Sequence, residues 1–161
     1  MKITALEEYG IRCLLQVAKA SEAGISISEI SKREGLSIQY VSKLTSILRK
    51  ADLLSSKRGL RGGYHLAKHP TEIKLSSVLS ALGGVKFDHG FCEAHTGHKR
   101  TCVHENNCSV RSVWGMIYGY VFGILDKMTL SDLLKSEEGA KEQLIQLISS
   151  QERKLDKNVK I

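Results

Sequence analysis

ISEISKREGLSIQYVSKLTSILRKADLLSSKRGLRGGYHLAK, running from Ile27 to Lys68, holds the signals that decide the fold. Ser26 and Glu29 stand at capping-box spacing, so a short helix starts at Ile27 and carries Ile27 and Ile30 toward a core. Gly35 can take the left-handed turn that ends it. Ser37 then caps a helix over Ile38–Lys50, with Val41, Leu44 and Leu48 on its buried side. Gln39, Tyr40, Ser42, Lys43, Ser46 and Lys50 fall on the other face. Two short helices across a glycine turn, the second capped and polar-faced, form a helix-turn-helix pattern. Leu53–Lys57 and Tyr64–Lys68 read as strands, and Arg58-Gly59-Leu60-Arg61-Gly62-Gly63 between them makes a cationic, conformationally permissive hairpin tip. Such a tip is a wing: glycine lets the backbone approach a phosphate closely, while Arg58 and Arg61 supply charge and forked donors.

Upstream, Thr4 and Glu7 form another capping-box pair, opening a helix that presents Leu6, Ile11, Leu14, Leu15 and Ala18 and ends near Ala20. Cys13 lies within it and is expected to be a buried, inert thiol. Pro70 closes the wing, and Ser76 is expected to open a helix over Ser77–Leu82 with Val78, Leu79 and Leu82 inward. Val110–Met128 is the most apolar segment, a helix with Val110, Val113, Trp114, Ile117, Val121, Ile124, Leu125 and Met128 on one wide face. Gly115, Gly119 and Gly123 recur along it at every fourth residue. Glycine costs about 1 kcal/mol in a helix interior, so this strip implies close packing, read here as dimerisation with a second copy. Packing onto the chain's own first helix is the competing arrangement. The uncharged part, Ser112–Leu125, is shorter than the roughly 20 residues a membrane span requires. Thr129 or Ser131 restarts a short capped helix. Ala140–Leu155 is amphipathic through Leu144, Leu147 and Ile148, and the Lys-rich end is expected to fray.

With 161 residues and 42% apolar content, the chain can bury a core of its own. Most of its net charge of +7 resides in residues 1–84, which carry thirteen Lys/Arg against seven Asp/Glu. A basic half points to a polyanionic partner for that half. Glu7, Glu8 and Arg12 interrupt the first apolar run, so no signal peptide is expected and a cytoplasmic location is. Structural disulfides are rare there, so the cysteines read as metal ligands or redox thiols.

Cys92, Cys102 and Cys108, with His95, His98 and His104, are packed into Phe91–Ser109, a polar stretch with no helical or strand period. Thiols and imidazoles on one loop are the donor set for a soft or borderline metal. From the residues alone the occupant stays open. It is a metal or redox centre, zinc held by three thiolates and one histidine, a reversible disulfide, or nothing, the loop being an inert remnant.

The run Ile27–Lys68, the opening MKITALEEYGIRCLLQVA, and the segments SVLSALGG, CSVRSVW and MTLSDLL together resemble the IscR/NsrR/CymR superfamily of bacterial winged-helix transcription regulators. The wing pattern RGxxGGYxLA is the most specific part. The resemblance implies a mainly α fold with a small β-hairpin wing. A winged helix-turn-helix domain would cover residues 1–84, a cysteine-rich cluster-binding loop 85–109, and a long dimerisation helix with a C-terminal helical segment 110–161. It further implies a homodimer on a near-palindromic double-stranded DNA operator. Ser37, Gln39, Tyr40 and Lys43 then begin the recognition helix, and Arg58 and Arg61 occupy the wing. Gln39 offers a bidentate amide suited to adenine, and a wing arginine can enter a groove.

Sensing members of this family hold an iron–sulfur cluster, [2Fe–2S] or [4Fe–4S], on three loop cysteines, and Cys92, Cys102 and Cys108 match those positions. Two departures stand out. Nine residues separate the first two cysteines, more than is usual. The position of a histidine ligand in IscR-like members holds Arg111, whose guanidinium has no lone pair to donate. Similarity to NsrR-like members then implies an acidic ligand from the first helix of the partner subunit, and Glu8 stands at that position. His104 is the local alternative, ahead of His95 and His98. The function implied is a homodimeric DNA-binding transcription regulator, repressor or activator, whose operator affinity follows a cluster sensing redox state, nitric oxide or iron. A zinc- or thiol–disulfide-dependent regulator of the same fold is the alternative. An iron–sulfur redox protein, or an adaptor that does not touch DNA, leaves the basic wing without a purpose. The sequence also shows no phosphate-binding glycine loop and no nucleophile–base constellation, so an enzyme is not expected.

Overall fold

The computed structural model describes residues 3–59, 62–84, 92–93 and 95–159, with side chains described as far as Gln151. Thr4 caps α1 (Ala5–Ala20) reciprocally: its Oγ1 accepts from the Glu7 N–H, and the Glu7 carboxylate accepts from the Thr4 N–H at 2.7 Å. The same device at Ser26 and Glu29 opens α2 (Ile27–Glu34). Gly35 ends it at φ 66°, the left-handed region that a Cβ disfavours. Ser37 caps α3 (Ile38–Lys50) by accepting the Tyr40 N–H at 3.2 Å.

Strands β1 (Leu54–Lys57) and β2 (Gly63–Leu66) pair antiparallel, from Leu54↔Leu66 to Lys57↔Gly63. Both are slightly shorter than expected, although Ala67 N–H still reaches Leu53 O at 3.1 Å. An isolated pair, Ile25↔Tyr64, adds the chain ahead of α2 to the other edge of β2.

Helix α4 (Leu75–Ala81) starts earlier than the sequence suggests, with Lys74 in the capping position. Ser76 sits inside it and donates its hydroxyl to Asp126 at 2.8 Å instead of capping. The apolar helix α5 (Ser109–Leu125) follows the cysteine loop, then α6 (Leu130–Leu133) and α7 (Glu137–Val159). Thr129 caps α6 with Asp132 as its reciprocal partner. Beyond Gly139 no glycine or proline interrupts α7, and its helix continues to Val159 where the sequence suggests fraying.

The main core is built on Leu14, Val17, Ile30, Leu44 and Leu48, each at most 1% exposed. It draws in α1, α2, α3, the base of the wing and Leu82 beside α4. Leu130 is wholly buried in the same core, so the chain returns to the winged domain after α5. Leu75 N–H bonds Met128 O at 2.9 Å and Leu130 N–H bonds Ile73 O at 2.8 Å, fixing that return. A second cluster, Leu75, Ile124 and Met128, packs with Tyr120 and with Leu144, Leu147 and Ile148 of α7.

The wide apolar face expected on α5 therefore divides in two. Its C-terminal end is covered by α4 and α7, and an added Cβ on Gly123 would meet Gln151 at 3.0 Å. Its N-terminal half stands open, with Val110 61%, Val113 56% and Ile117 46% exposed, and Gly119 faces empty space. Among the described residues no helix is long and apolar enough to cross a membrane. Removing a central side chain tests the core directly. Leu44→Ala should cost about 2–5 kcal/mol of stability, read as a lower urea midpoint at unchanged denaturant slope.

Candidate nucleic-acid interface and metal centre

The N-terminal end of α3 presents Ser37, Gln39 and Lys43 to solvent, with Tyr40 half-buried beside them. Ser37 spends one oxygen lone pair on the cap and keeps its proton to donate outward. In the wing, Arg58 and Gly59 are exposed. The tip closes through Gly62 N–H to Gly59 O at 2.7 Å, so tightly that a Cβ on Gly62 would stand 2.6 Å from that same oxygen. Arg61, the second wing arginine, lies outside the described residues. Exposed amide, hydroxyl and ammonium groups on a helix end can meet base edges, and an exposed arginine on a narrow hairpin can meet a phosphate.

A polar network that sequence reasoning misses ties α1 to this reading head. Arg12 Nε donates to Glu34 Oε2 at 2.6 Å, and Gln16 donates to the other oxygen of the same carboxylate. The Glu34 side chain, at the end of α2, is only 7% exposed. The Arg12 guanidinium lies 5.3 Å above the Tyr9 ring, and Tyr9 meets Tyr40 of α3 edge-on at 6.1 Å. The hydrogen bond and charge of Glu34 hold the Arg12 guanidinium above its ordinary value, and Glu8 adds a smaller push. No local spacing signals it, because Arg12 and Glu34 stand twenty-two residues apart.

Cys92, Cys102 and Cys108, all half-buried, line one cavity of about 360 Å³ together with His104, Glu105 and Arg111. The loop wraps this space with turns: His95 N–H to Cys92 O, Glu105 N–H to Cys102 O and Asn107 N–H to His104 O. Cys108 caps α5, its Sγ accepting the Arg111 N–H at 3.3 Å. Arg111, which cannot be a ligand through its side chain, thus serves through its backbone. His95 and His98 are not among the residues lining this cavity.

Among the described residues, no three of His, Cys, Asp and Glu converge as a formed coordination sphere. The three thiols are gathered around one space but not drawn to a common centre. As a donor set they fit an iron–sulfur cluster, whose irons take cysteine sulfur, and with His104 they fit zinc.

Glu8 does not join them within one chain. It is exposed and lines a separate, apolar cavity of about 380 Å³ between α1 and α5, with Ile11, Tyr118 and Phe122. Its neighbour Glu7 is committed to the Thr4 cap, so of the adjacent carboxylates Glu8 is the one left to reach outward.

Cys13 is fully buried, and burial pushes its thiol up to about 11. In the metal-free protein a thiol reagent should therefore titrate Cys92, Cys102 and Cys108 quickly and Cys13 only after unfolding. Four fast thiols would contradict this placement.

Known proteins share this fold and much of this sequence. The family model described as "Rrf2: Iron-dependent Transcriptional regulator" matches residues 3–136. The chain is 35% identical over 136 residues to Protein rrf2 of Nitratidesulfovibrio vulgaris, covering 84% of this chain and 88% of that one. It is 34% identical over 139 residues to the HTH-type transcriptional regulator IscR of Escherichia coli, covering 86% and 83%. Among solved structures, T. potens IscR superposes with a TM-score of 0.66 at 32% identity, over 87% of this chain and 90% of that one. CymR, the global cysteine regulator of B. subtilis, gives a TM-score of 0.62 at 29% identity, over 83% and 96%.

Proposed function

The chain belongs to the Rrf2 family of transcriptional regulators, and from that premise we propose that it is a cytoplasmic, homodimeric regulator whose operator affinity is set by an iron–sulfur cluster. The observation that carries the sensing part is the cavity at the start of α5, where three half-buried thiols face one space. Cys92, Cys102 and Cys108 would hold the cluster, and Glu8 of the partner subunit would complete it. A cluster in that place supplies redox activity and reactivity toward nitric oxide, and makes assembly depend on iron.

What the chain's own residues do follows from their places. The Arg111 N–H orients the Cys108 sulfur, and hydrogen bonds to ligand sulfur tune such centres. A carboxylate is a hard ligand and the weakest partner in a thiolate-rich set, which suits a site that must exchange or react. Glu8 stands one turn from Arg12, and Arg12 and Tyr9 touch both helices of the reading head. Engaging or releasing Glu8 therefore changes the charge beside the contacts that seat α2 and α3 on α1. The exposed apolar half of α5, with Val113 and Ile117, is the surface that a second copy would cover. A symmetric pair of reading heads then suits a near-palindromic operator.

One observation favours a second reading. His104 lines the cysteine cavity and Glu8 of the same chain does not, so three thiolates and His104 could hold zinc as a closed structural site. Anaerobic purification followed by a visible spectrum and iron, sulfide and zinc analysis separates the two. A coloured protein with matched iron and sulfide is expected. A colourless protein replete in zinc would overturn the iron–sulfur reading and leave the DNA reading in place.

A further inference from the structure

Among the described residues, one buried side-chain polar atom has no hydrogen-bond partner, Nε2 of His65. His65 lies on β2 opposite Ser55 and is 9% exposed. Burying such an atom unpaired is unfavourable, so shape rather than hydrogen bonding at that nitrogen holds the ring edge where it is. The surface it fits is Gly24, in the turn that leads out of α1. A Cβ built on Gly24 would stand 2.6 Å from both Cε1 and Nε2 of the imidazole. Gly24 also has φ 71°, so both its backbone and its neighbour demand glycine.

The next residue continues the contact. Ile25 and Tyr64 exchange both backbone bonds, N–H to O at 3.1 and 2.8 Å. A Cβ on Gly63 would come within 2.9 Å of the Ile25 carbonyl oxygen. The returning strand of the wing is therefore laid directly on the turn that ends α1, with no room for a side chain on the Gly24 or Gly63 side of the contact.

We propose that His65 is a positioning residue for DNA reading: its ring keys β2 to the Gly24 turn and so fixes the wing, with Arg58 at its tip, relative to α1. The wing then moves with α1, the helix that carries Glu8 near its other end. This rests on the wing reading DNA, and it adds that the seat of the wing is the α1 turn.

The test uses the full-length protein and a fluorescently labelled duplex of mixed sequence, with affinity measured across a salt series. His65→Ala removes the ring but leaves both Ile25–Tyr64 bonds. Affinity should fall roughly tenfold, and the log–log salt slope should shrink by about 0.9 for each phosphate that the wing no longer neutralises. Gly24→Ala, which forces the ring out, should bind more weakly still. The double variant Gly24→Ala/His65→Ala keeps the backbone strain but removes the clash, and should recover to the level of His65→Ala. Melting temperatures recorded alongside identify any variant that has simply unfolded, and His65→Ala carries the test in that case. Parent-like affinity and slope in His65→Ala, or identical binding by Gly24→Ala and the double variant, would overturn the inference alone. Failure of the parent protein to bind DNA would remove the premise and the inference with it.

Discussion

Replacing Arg58 and Arg61 by alanine should weaken operator binding by roughly two orders of magnitude, since one good arginine pairing carries about 1–3 kcal/mol of discrimination. The salt slope should also shrink by about 0.9 for every phosphate left without its arginine. Arg58 is exposed on a hairpin tip that glycines keep narrow, so its removal should leave the fold and its melting temperature unchanged. The measurement is fluorescence anisotropy with labelled DNA over a salt series. An unchanged affinity and slope would mean that the wing does not face DNA, and the basic charge of residues 1–84 would need another partner. Gln39→Ala is the companion variant, expected to relax base preference more than overall affinity, because its amide is suited to a base edge and not to a phosphate.

The second large effect concerns the cysteine cavity. Cys92→Ala should abolish iron and sulfide incorporation altogether, because it removes one of only three thiols lining that space. Glu8→Ala should retain a cluster that is lost faster on exposure to air or chelator, since a carboxylate is the weakest member of the proposed set. His104→Ala should leave iron and sulfide content unchanged. If His104→Ala emptied the site and Glu8→Ala did not, the fourth ligand would be local, and the site would close within one subunit instead of across two. Cys13→Ala serves as the control, because its thiol is sealed in the core beneath α1.

The reading head is legible because its signals are local. The boxes at Thr4 and Ser26 and the Ser37 cap are short-range devices in which a side chain and a backbone N–H three residues away satisfy each other, and all three stand where their spacing predicts. The apolar spacing of Val41, Leu44 and Leu48 likewise needs only the helical period, and all three are fully buried. What escapes is what depends on residues distant in sequence. Arg12 registers in the sequence only as a charge interrupting an apolar run, yet it meets Glu34 twenty-two residues away. Ser76 looks like a cap because serine often is one, but Asp126, fifty residues on, claims its hydroxyl. The apolar face of α5 is visible as a stripe, but its division into a covered and an open half depends on α7 folding back over it.

The cysteine loop is partly legible in the same sense. The sequence points to three thiols as a set, and the fold gathers them on one cavity. Histidines are harder to sort, since any imidazole near a cysteine is a candidate ligand on paper. The lining of the cavity supports the order in which the sequence places them, with His104 present and His95 and His98 absent. In the sequence, Glu8 is singled out from Glu7 by family resemblance alone. The structure adds a physical reason, because Glu7 is already occupied by the Thr4 backbone and hydroxyl.

The central claim is that the state of the cysteine centre sets DNA affinity, and one comparison tests it most directly. Operator DNA recovered by selection from fragmented genomic DNA would be titrated with cluster-loaded protein and with the same preparation after cluster removal, under identical salt. Coupling between two sites in one protein is typically about 1–3 kcal/mol, or roughly 5- to 150-fold in affinity. A difference within that range, absent in Cys92→Ala, is the predicted result. Equal affinities for the loaded and the stripped protein would contradict the account.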